Sequence, residues 1–267
     1  IIGTGLIGGS IALDIKRKKL ASCVVGVSRR KKSLAQALKI KAIDRGSQKL
    51  GIIKGADLLI LAAPVETIIN MAEQISAIIG PDCIVIDVAS TKEDVVSCLG
   101  KIFPKYIGTH PLAGSEKQGI ENAAAGIFEG SLCVLTPVKN TDPQVTSKIA
   151  AFWKKLGART ALVPPGEHDR ILSFTSHLPH ACAFSLINAL PEKYLKFCAG
   201  SFKDATRIAA SDSGLWADIF LTNRKNIISS IRRLEENISL IKESIRRNDR
   251  KKLTSILNAA KKKRGSL

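Results

Sequence analysis

The sequence predicts a doubly wound α/β domain with a mainly parallel sheet, followed by an all-helical C-terminal domain. Three observations predict it. Short apolar runs alternate with helical stretches from residue 1 to about 163. Those runs are almost continuously hydrophobic, as strands covered on both faces are. From about residue 168 onward, strand-like runs stop and only helical periodicity remains. The 267 residues are 45% hydrophobic, enough for a sizeable core, but only 4% aromatic, so aliphatic side chains must fill it.

In chain order, Ile1–Ile2 reads as a strand stub, and runs at 23–27, 57–63, 83–89, 106–110, 132–137 and 159–164 supply the remaining strands. Helices are expected over 7–19, 31–41, 66–79, 91–102 and 144–156, the last opened by Asp142 as N-cap and Pro143 at the first helical position. The double proline Pro164–Pro165 marks the boundary between a dinucleotide-type domain, 1–164, and a helical domain, 165–267. Within the second, the helical pattern breaks near Pro191 and at 211–214. Ile227, Ile231, Leu234, Ile238, Ile241 and Ile245 form a heptad seam. It could pack inside its own domain. A homodimer interface is favoured, because a small helical domain has few other partners for so long a stripe. The basic C-terminal tail is expected to fray.

Composition narrows the class further. The six cysteines are scattered, with no C-x-x-C pair, which suits free thiols in a reduced cytoplasmic protein and neither a disulfide framework nor a zinc site. No apolar run reaches the ~18 residues of a membrane span. The chain opens inside a strand without Met, so upstream sequence is expected, with room there for a targeting segment or a fused domain. The net charge of +18 fits nucleic-acid binding, steering of an anionic substrate, or solvated surface lysines. The basic runs Arg29–Lys32, Arg246–Arg247, Arg250–Lys252 and Lys261–Arg264 lie far apart with little aromatic interleaving, which favours solvated faces over a nucleic-acid partner.

The opening IIGTGLIGGS carries Gly3, Gly5 and Gly8 in G-x-G-x-x-G spacing, after a strand stub and ahead of a helix. Gly3 permits the tight turn, Gly5 admits a pyrophosphate and Gly8 lets helix and strand pack, so a Rossmann-type cofactor loop of Gly3, Gly5, Leu6, Ile7 and Gly8 is expected. At the end of the next strand, where an NAD enzyme usually presents Asp or Glu, stand Ser28, Arg29 and Arg30. Arginines can grip a 2′-phosphate that a carboxylate would repel, so NADP is preferred, with NAD possible; the plain alternative is that both arginines are ordinary surface charges. Ala63 and Pro64 end the third strand on the expected nicotinamide side.

Further motifs follow: DVASTK at 87–92, GTHPLAGSE at 108–116, SHLPHA at 176–181 and FKDATRIAASDSGLW at 202–216. With the glycine loop, they resemble the prephenate/arogenate dehydrogenase family of tyrosine biosynthesis along nearly the whole chain. The resemblance implies oxidative decarboxylation of prephenate or arogenate, giving 4-hydroxyphenylpyruvate or tyrosine. It implies His110 as acceptor of the substrate's hydroxyl proton, a role that suits a neutral imidazole near pH 7. Ser90 is then expected to bond the same hydroxyl or orient that imidazole. Arg207 would clamp the ring carboxylate, with Glu116 as a gating acid and Ser115 beside it. His180 and Trp216 would line the ring pocket, while His177 stays ambiguous and Lys203 and Asp204 could equally be surface charges. His177 and His180 sit three apart, but Pro179 intervenes and no third ligand accompanies them, so no metal site is expected. The rival readings are another two-domain NADP-dependent 3-hydroxyacid dehydrogenase or imino-acid reductase, and a basic nucleic-acid-binding protein with a vestigial cofactor fold.

Overall fold

A computed structural model describes residues 1–114 and 117–266. Its sheet places Ile2 at the centre, bridged in parallel to Val27 on one side and Leu61 on the other. On the first side lie β1 (Val25–Val27) and β2 (Arg45–Ser47); on the second, in order, lie β3 (Leu58–Leu61), β4 (Ile84–Asp87), β5 (Tyr106–Pro111), β6 (Leu132–Thr136) and β7 (Arg159–Leu162). The strands from β2 to β5 run parallel. β6 pairs antiparallel with β5, His110 opposite Val134, and β7 follows β6 in parallel. The reversal follows from the connection: among the described residues between β5 and β6 there is a 3-10 turn at Ile120–Asn122 and no crossover helix of the kind a parallel return requires.

Alternate residues of each strand point to opposite faces, and two apolar clusters result. Ile1, Ile60, Ile86, Ile107 and Leu135 share a cluster with side chains of α1 (Leu6–Arg17), α2 (Lys31–Lys39) and α5 (Pro143–Leu156), in which Trp153 and Phe128 meet edge-on. Ile2, Leu59, Leu61 and Val85 meet α3 (Val65–Ser76) and α4 (Glu93–Ile102) through Ile68, Ile75, Val95 and Leu99. This is the two-sided covering that the continuous apolar runs anticipated. Asp142 caps α5 as expected, accepting from the Gln144 N–H at 2.7 Å. The short β2 was not among the expected strands, because Arg-Gly-Ser offers no apolar run.

Beyond Pro164 the described residues form helices joined by short links, with no strand among them. α6 (Pro165–Leu172) passes through a π-helical turn, Ser173–His177, directly into α7 (Leu178–Asn188). α8 (Gly200–Thr206), a 3-10 turn at Arg207–Ala210, α9 (Ser213–Thr222), α10 (Arg224–Arg246) and α11 (Arg250–Arg264) follow. α6 packs on α4 and β6, seating the helical half on the carboxyl edge of the sheet. No helix of the described residues is long and apolar enough to cross a membrane.

Candidate active site

The glycine turn is built as its spacing demands. Gly3 has φ +97°, and a Cβ there would lie 2.2 Å from the Ala62 carbonyl oxygen; one on Gly8 would lie 2.0 Å from the Gly3 oxygen. Both positions exclude any side chain. Gly5 differs: a Cβ there meets nothing within 4 Å, so its surface opens outward. Gly5 is also the N-cap of α1, whose first turn, beginning at Leu6 and Ile7, carries no acidic residue and no side-chain cap. In the same turn the Thr4 hydroxyl is buried with no partner among the described residues. Unpaired helix N–H groups facing open space fit a diphosphate. Ala63 and Pro64 lie beside this turn at the end of β3, Pro64 as the N-cap of α3. Past β1, the Ser28 hydroxyl accepts from the Arg30 N–H at 3.3 Å, and Arg29 and Arg30 are exposed with no acidic partner among the described residues.

The carboxyl ends of β4 and β5 hold a buried polar cluster. Asp87 accepts from the Ala89 N–H at 2.9 Å, from the Tyr106 hydroxyl at 2.7 Å, and from the Lys92 ammonium. Lys92 is wholly buried and also donates to the Thr109 carbonyl at 3.0 Å. A buried lysine of this kind is tolerable only because its charge is paired and bonded. Next along β5 stands His110, half-buried, with Nδ1 2.9 Å from Nε2 of His168. His168 Nδ1 lies in turn 2.7 Å from Oδ1 of Asp169. Asp169 accepts the backbone N–H groups of Lys92 at 2.8 Å and Glu93 at 2.9 Å. A carboxylate from the helical half thus caps α4 of the sheet half, where a negative charge is favoured.

This array keeps His110 neutral. Burial, then the positive charge that could reside on His168, then Lys92 and His177 together hold its pKa well below the ordinary histidine value. His177, in the π turn, is also buried, and burial brings it down to about 4. It accepts from the Asn223 side-chain amide at 3.1 Å, and that same amide donates to the Asp169 carbonyl at 2.7 Å. Trp216 meets His177 edge-on and stacks on His180 with ring centroids 3.5 Å apart. His180 Nδ1 donates to the Ser176 carbonyl at 2.9 Å. Burial lowers the pKa of His180, and so does the nearby charge of Arg207.

The expected residues therefore fall into groups. Gly3, Gly5 and Gly8 form one turn; His180, Trp216 and Arg207 form another neighbourhood, with Arg207 exposed in the single chain. His110 joins the second through His168, Asp169, Asn223 and His177. Ser90 is half-buried and makes no side-chain hydrogen bond to a described residue, so the group orienting the His110 imidazole is His168 rather than Ser90. Lys203 and Asp204 are exposed. Ser115 and Glu116 lie outside the described residues. His168, Asp169 and Asn223 were not among the expected site residues. A histidine followed by an acid, in a chain with only four histidines, was the available signal. The described residues contain no group of three or more His, Cys, Asp or Glu placed to hold a metal ion.

Comparison with known proteins identifies the family. Residues 11–162 match the family model for the nucleotide-binding domain of prephenate dehydrogenase, and residues 164–259 match that for its dimerization domain. The chain is 34% identical to prephenate dehydrogenase of Bacillus subtilis, covering 100% of this chain and 75% of that protein. It is also 34% identical to cyclohexadienyl dehydrogenase of Zymomonas mobilis, over 93% of this chain and 88% of that one. Among solved structures, prephenate dehydrogenase from A. aeolicus in complex with hydroxyphenyl propionate and NAD+ superposes with a TM-score of 0.94 at 33% identity, covering 99% and 96% of the two chains. A 3-hydroxybutyryl-CoA dehydrogenase from Ralstonia eutropha, at TM-score 0.52 and 16% identity, shares the fold alone.

Proposed function

The chain belongs to the prephenate dehydrogenase family, and from that premise we propose that it carries out the oxidative decarboxylation of prephenate, arogenate or both, with NADP preferred. The observation that carries this reading is the placement of His110. It is a neutral imidazole at the carboxyl end of a central strand, where ligands of open α/β sheets gather. When bound, a nicotinamide dinucleotide supplies the hydride acceptor. The Gly3–Gly8 turn and the open N-terminus of α1 would hold its diphosphate, with Ala63 and Pro64 beside the nicotinamide.

His110 takes the hydroxyl proton of the substrate as the ring loses hydride and carbon dioxide and becomes aromatic, a role to which Ser90 adds a hydrogen bond. Arg207 holds the ring carboxylate, since a guanidinium keeps its charge at any working pH. Trp216 and His180, already stacked, wall the ring; Glu116 as a gating acid, with Ser115 contributing a hydroxyl, rests on the family resemblance alone. The hydroxyphenyl propionate and NAD+ held together by the A. aeolicus relative support a ring site beside a dinucleotide site. The NADP preference rests on Ser28, Arg29 and Arg30, which leave no carboxylate to repel a 2′-phosphate. Residues 1–164 hold the dinucleotide, and residues 165–267 hold the substrate and a second subunit along α10.

The test is a paired assay of prephenate and arogenate, each with NAD and with NADP, following reduced cofactor and released carbon dioxide together. Turnover of at least one substrate with stoichiometric carbon dioxide is expected, with tighter binding of NADP. Absence of turnover with both would refute the reaction, and a clear NAD preference would refute the cofactor assignment alone. His110→Asn should lower kcat by about 10²–10⁴-fold with KM little changed.

A further inference from the structure

His110 does not stand alone, and its partner is a second histidine whose far nitrogen meets a carboxylate. The protons of this row can be placed by elimination. Asp169 already accepts the Lys92 and Glu93 backbone N–H groups, so it is an acceptor and His168 Nδ1 carries the proton between them. In neutral His168 the other nitrogen, Nε2, then has a lone pair, and it accepts from His110 Nδ1–H. That fixes the tautomer of His110 and leaves its Nε2 free of a proton.

Resting on the proposed reaction, we infer that His168 is the second member of a proton relay: the hydroxyl proton taken by His110 Nε2 is matched by transfer of the His110 Nδ1 proton to His168 Nε2. The O–H bond of the substrate breaks and an N–H bond forms at His110 Nε2. The N–H bond at His110 Nδ1 breaks and one forms at His168 Nε2. No electrons leave the row. His110 ends neutral in its other tautomer, and His168 ends as an imidazolium bonded to the Asp169 carboxylate. After product leaves, the reverse shift returns the proton through His110 to the cleft.

Charge placement favours this direction. Around His110 stand the Lys92 ammonium, bonded to the adjoining Thr109 carbonyl, and neutral His177; burial pushes the Cys133 thiol on β6 well above the ordinary cysteine range, so it stays a thiol. Asp87 faces Lys92 and is occupied by it and by Tyr106. At His168 the Asp169 carboxylate is bonded directly to Nδ1. A positive charge is better placed beside a bonded carboxylate than beside an ammonium. His168 is almost wholly buried and His110 half-buried, so little water reaches the nitrogen pair between them.

Two measurements test the relay. With only four histidines, ring-nitrogen NMR can be assigned using His110→Asn and His168→Gln as subtractions. At neutral pH both His110 and His168 should carry their proton on Nδ1, and on acidification the first imidazolium of the pair should form at His168. A proton on Nε2 of His110, or an imidazolium forming first at His110, would overturn the relay whether or not either substrate is turned over. In kinetics, His168→Gln keeps an acceptor for His110 Nδ1–H but cannot take up a proton. It should lower kcat about 10–100-fold with KM unchanged, and should convert a curved solvent-isotope inventory into a linear one. A kcat within twofold of the parent with the inventory still curved would show that His168 only positions His110. If the parent turns over neither substrate, the reaction assignment falls and the NMR result decides the proton placement by itself.

Discussion

The two halves of the molecule treat apolar surface in opposite ways. The sheet half closes two aliphatic clusters on itself, with Leu59, Leu61, Ile86, Leu99 and Trp153 essentially inaccessible. The helical half buries, among its described apolar side chains, only Leu172, Ala183, Trp216, Ile219 and Ile227. It leaves Phe197 71%, Leu221 70% and Ile245 62% exposed. The heptad seam shows the change within one helix: Ile227 is buried, Ile231 and Leu234 are half-buried, and Ile238 and Ile245 stand exposed. Apolar patches of this extent mark a surface awaiting a partner. One half is finished as a single chain, and the other leaves an apolar stripe uncovered.

That contrast can be broken most sharply in the sheet half. Lys92→Met leaves Asp87 buried and uncompensated, and should cost about 3–5 kcal/mol in unfolding free energy by denaturant titration, with no change in the state of association. A loss below 1 kcal/mol would mean that water reaches the cluster. Arg207→Ala should cost about 1.5–3 kcal/mol in substrate binding, read as a raised KM with the fold intact. An unchanged KM would assign the ring carboxylate to another group. Protonation of buried histidines comes next. His177, with a pKa near 4 when folded and about 6.5 when unfolded, binds fewer protons in the native state. Its contribution is complete above pH 6.5 and is lost as pH falls toward 4, by about 1.4 kcal/mol per pH unit; His110 acts in the same sense. A Tm that stays flat from pH 7 to 5 would contradict this. The smallest effect on the chain's own stability should come from Ile238→Glu combined with Ile245→Glu, within ~0.5 kcal/mol per site for exposed positions. Sedimentation should nevertheless show dimer lost to monomer. A dimer that survives both charges would place the interface elsewhere.

The halves also differed in how far they could be read from sequence. Strand and helix order in the first half follows from continuous apolar runs and from punctuation such as Asp142–Pro143, which encode their structure locally. The reversal of β6 was not legible, because direction depends on the connection rather than on the run itself. Arg45–Ser47 was invisible for want of side chains to betray burial. At the site, Gly3 and Gly8 announce their steric need by spacing, and His110 by its motif. His168 and Asp169 read as boundary punctuation in VPPGEHD, because their roles arise only when α6 lands on the first turn of α4. Contacts between distant segments leave no periodic trace.

The capping of α4 by Asp169 has a consequence for how the molecule idles. Lys92 and Glu93 offer their N–H groups to a carboxylate that arrives from across the interdomain seam, and the same carboxylate steadies the imidazole behind His110. Should the seam part by the width of one water, the helix would lose its cap and His110 its fixed tautomer in a single event, while the glycine turn stayed whole. Such a molecule would keep its grip on the dinucleotide yet leave it unspent until the halves met again.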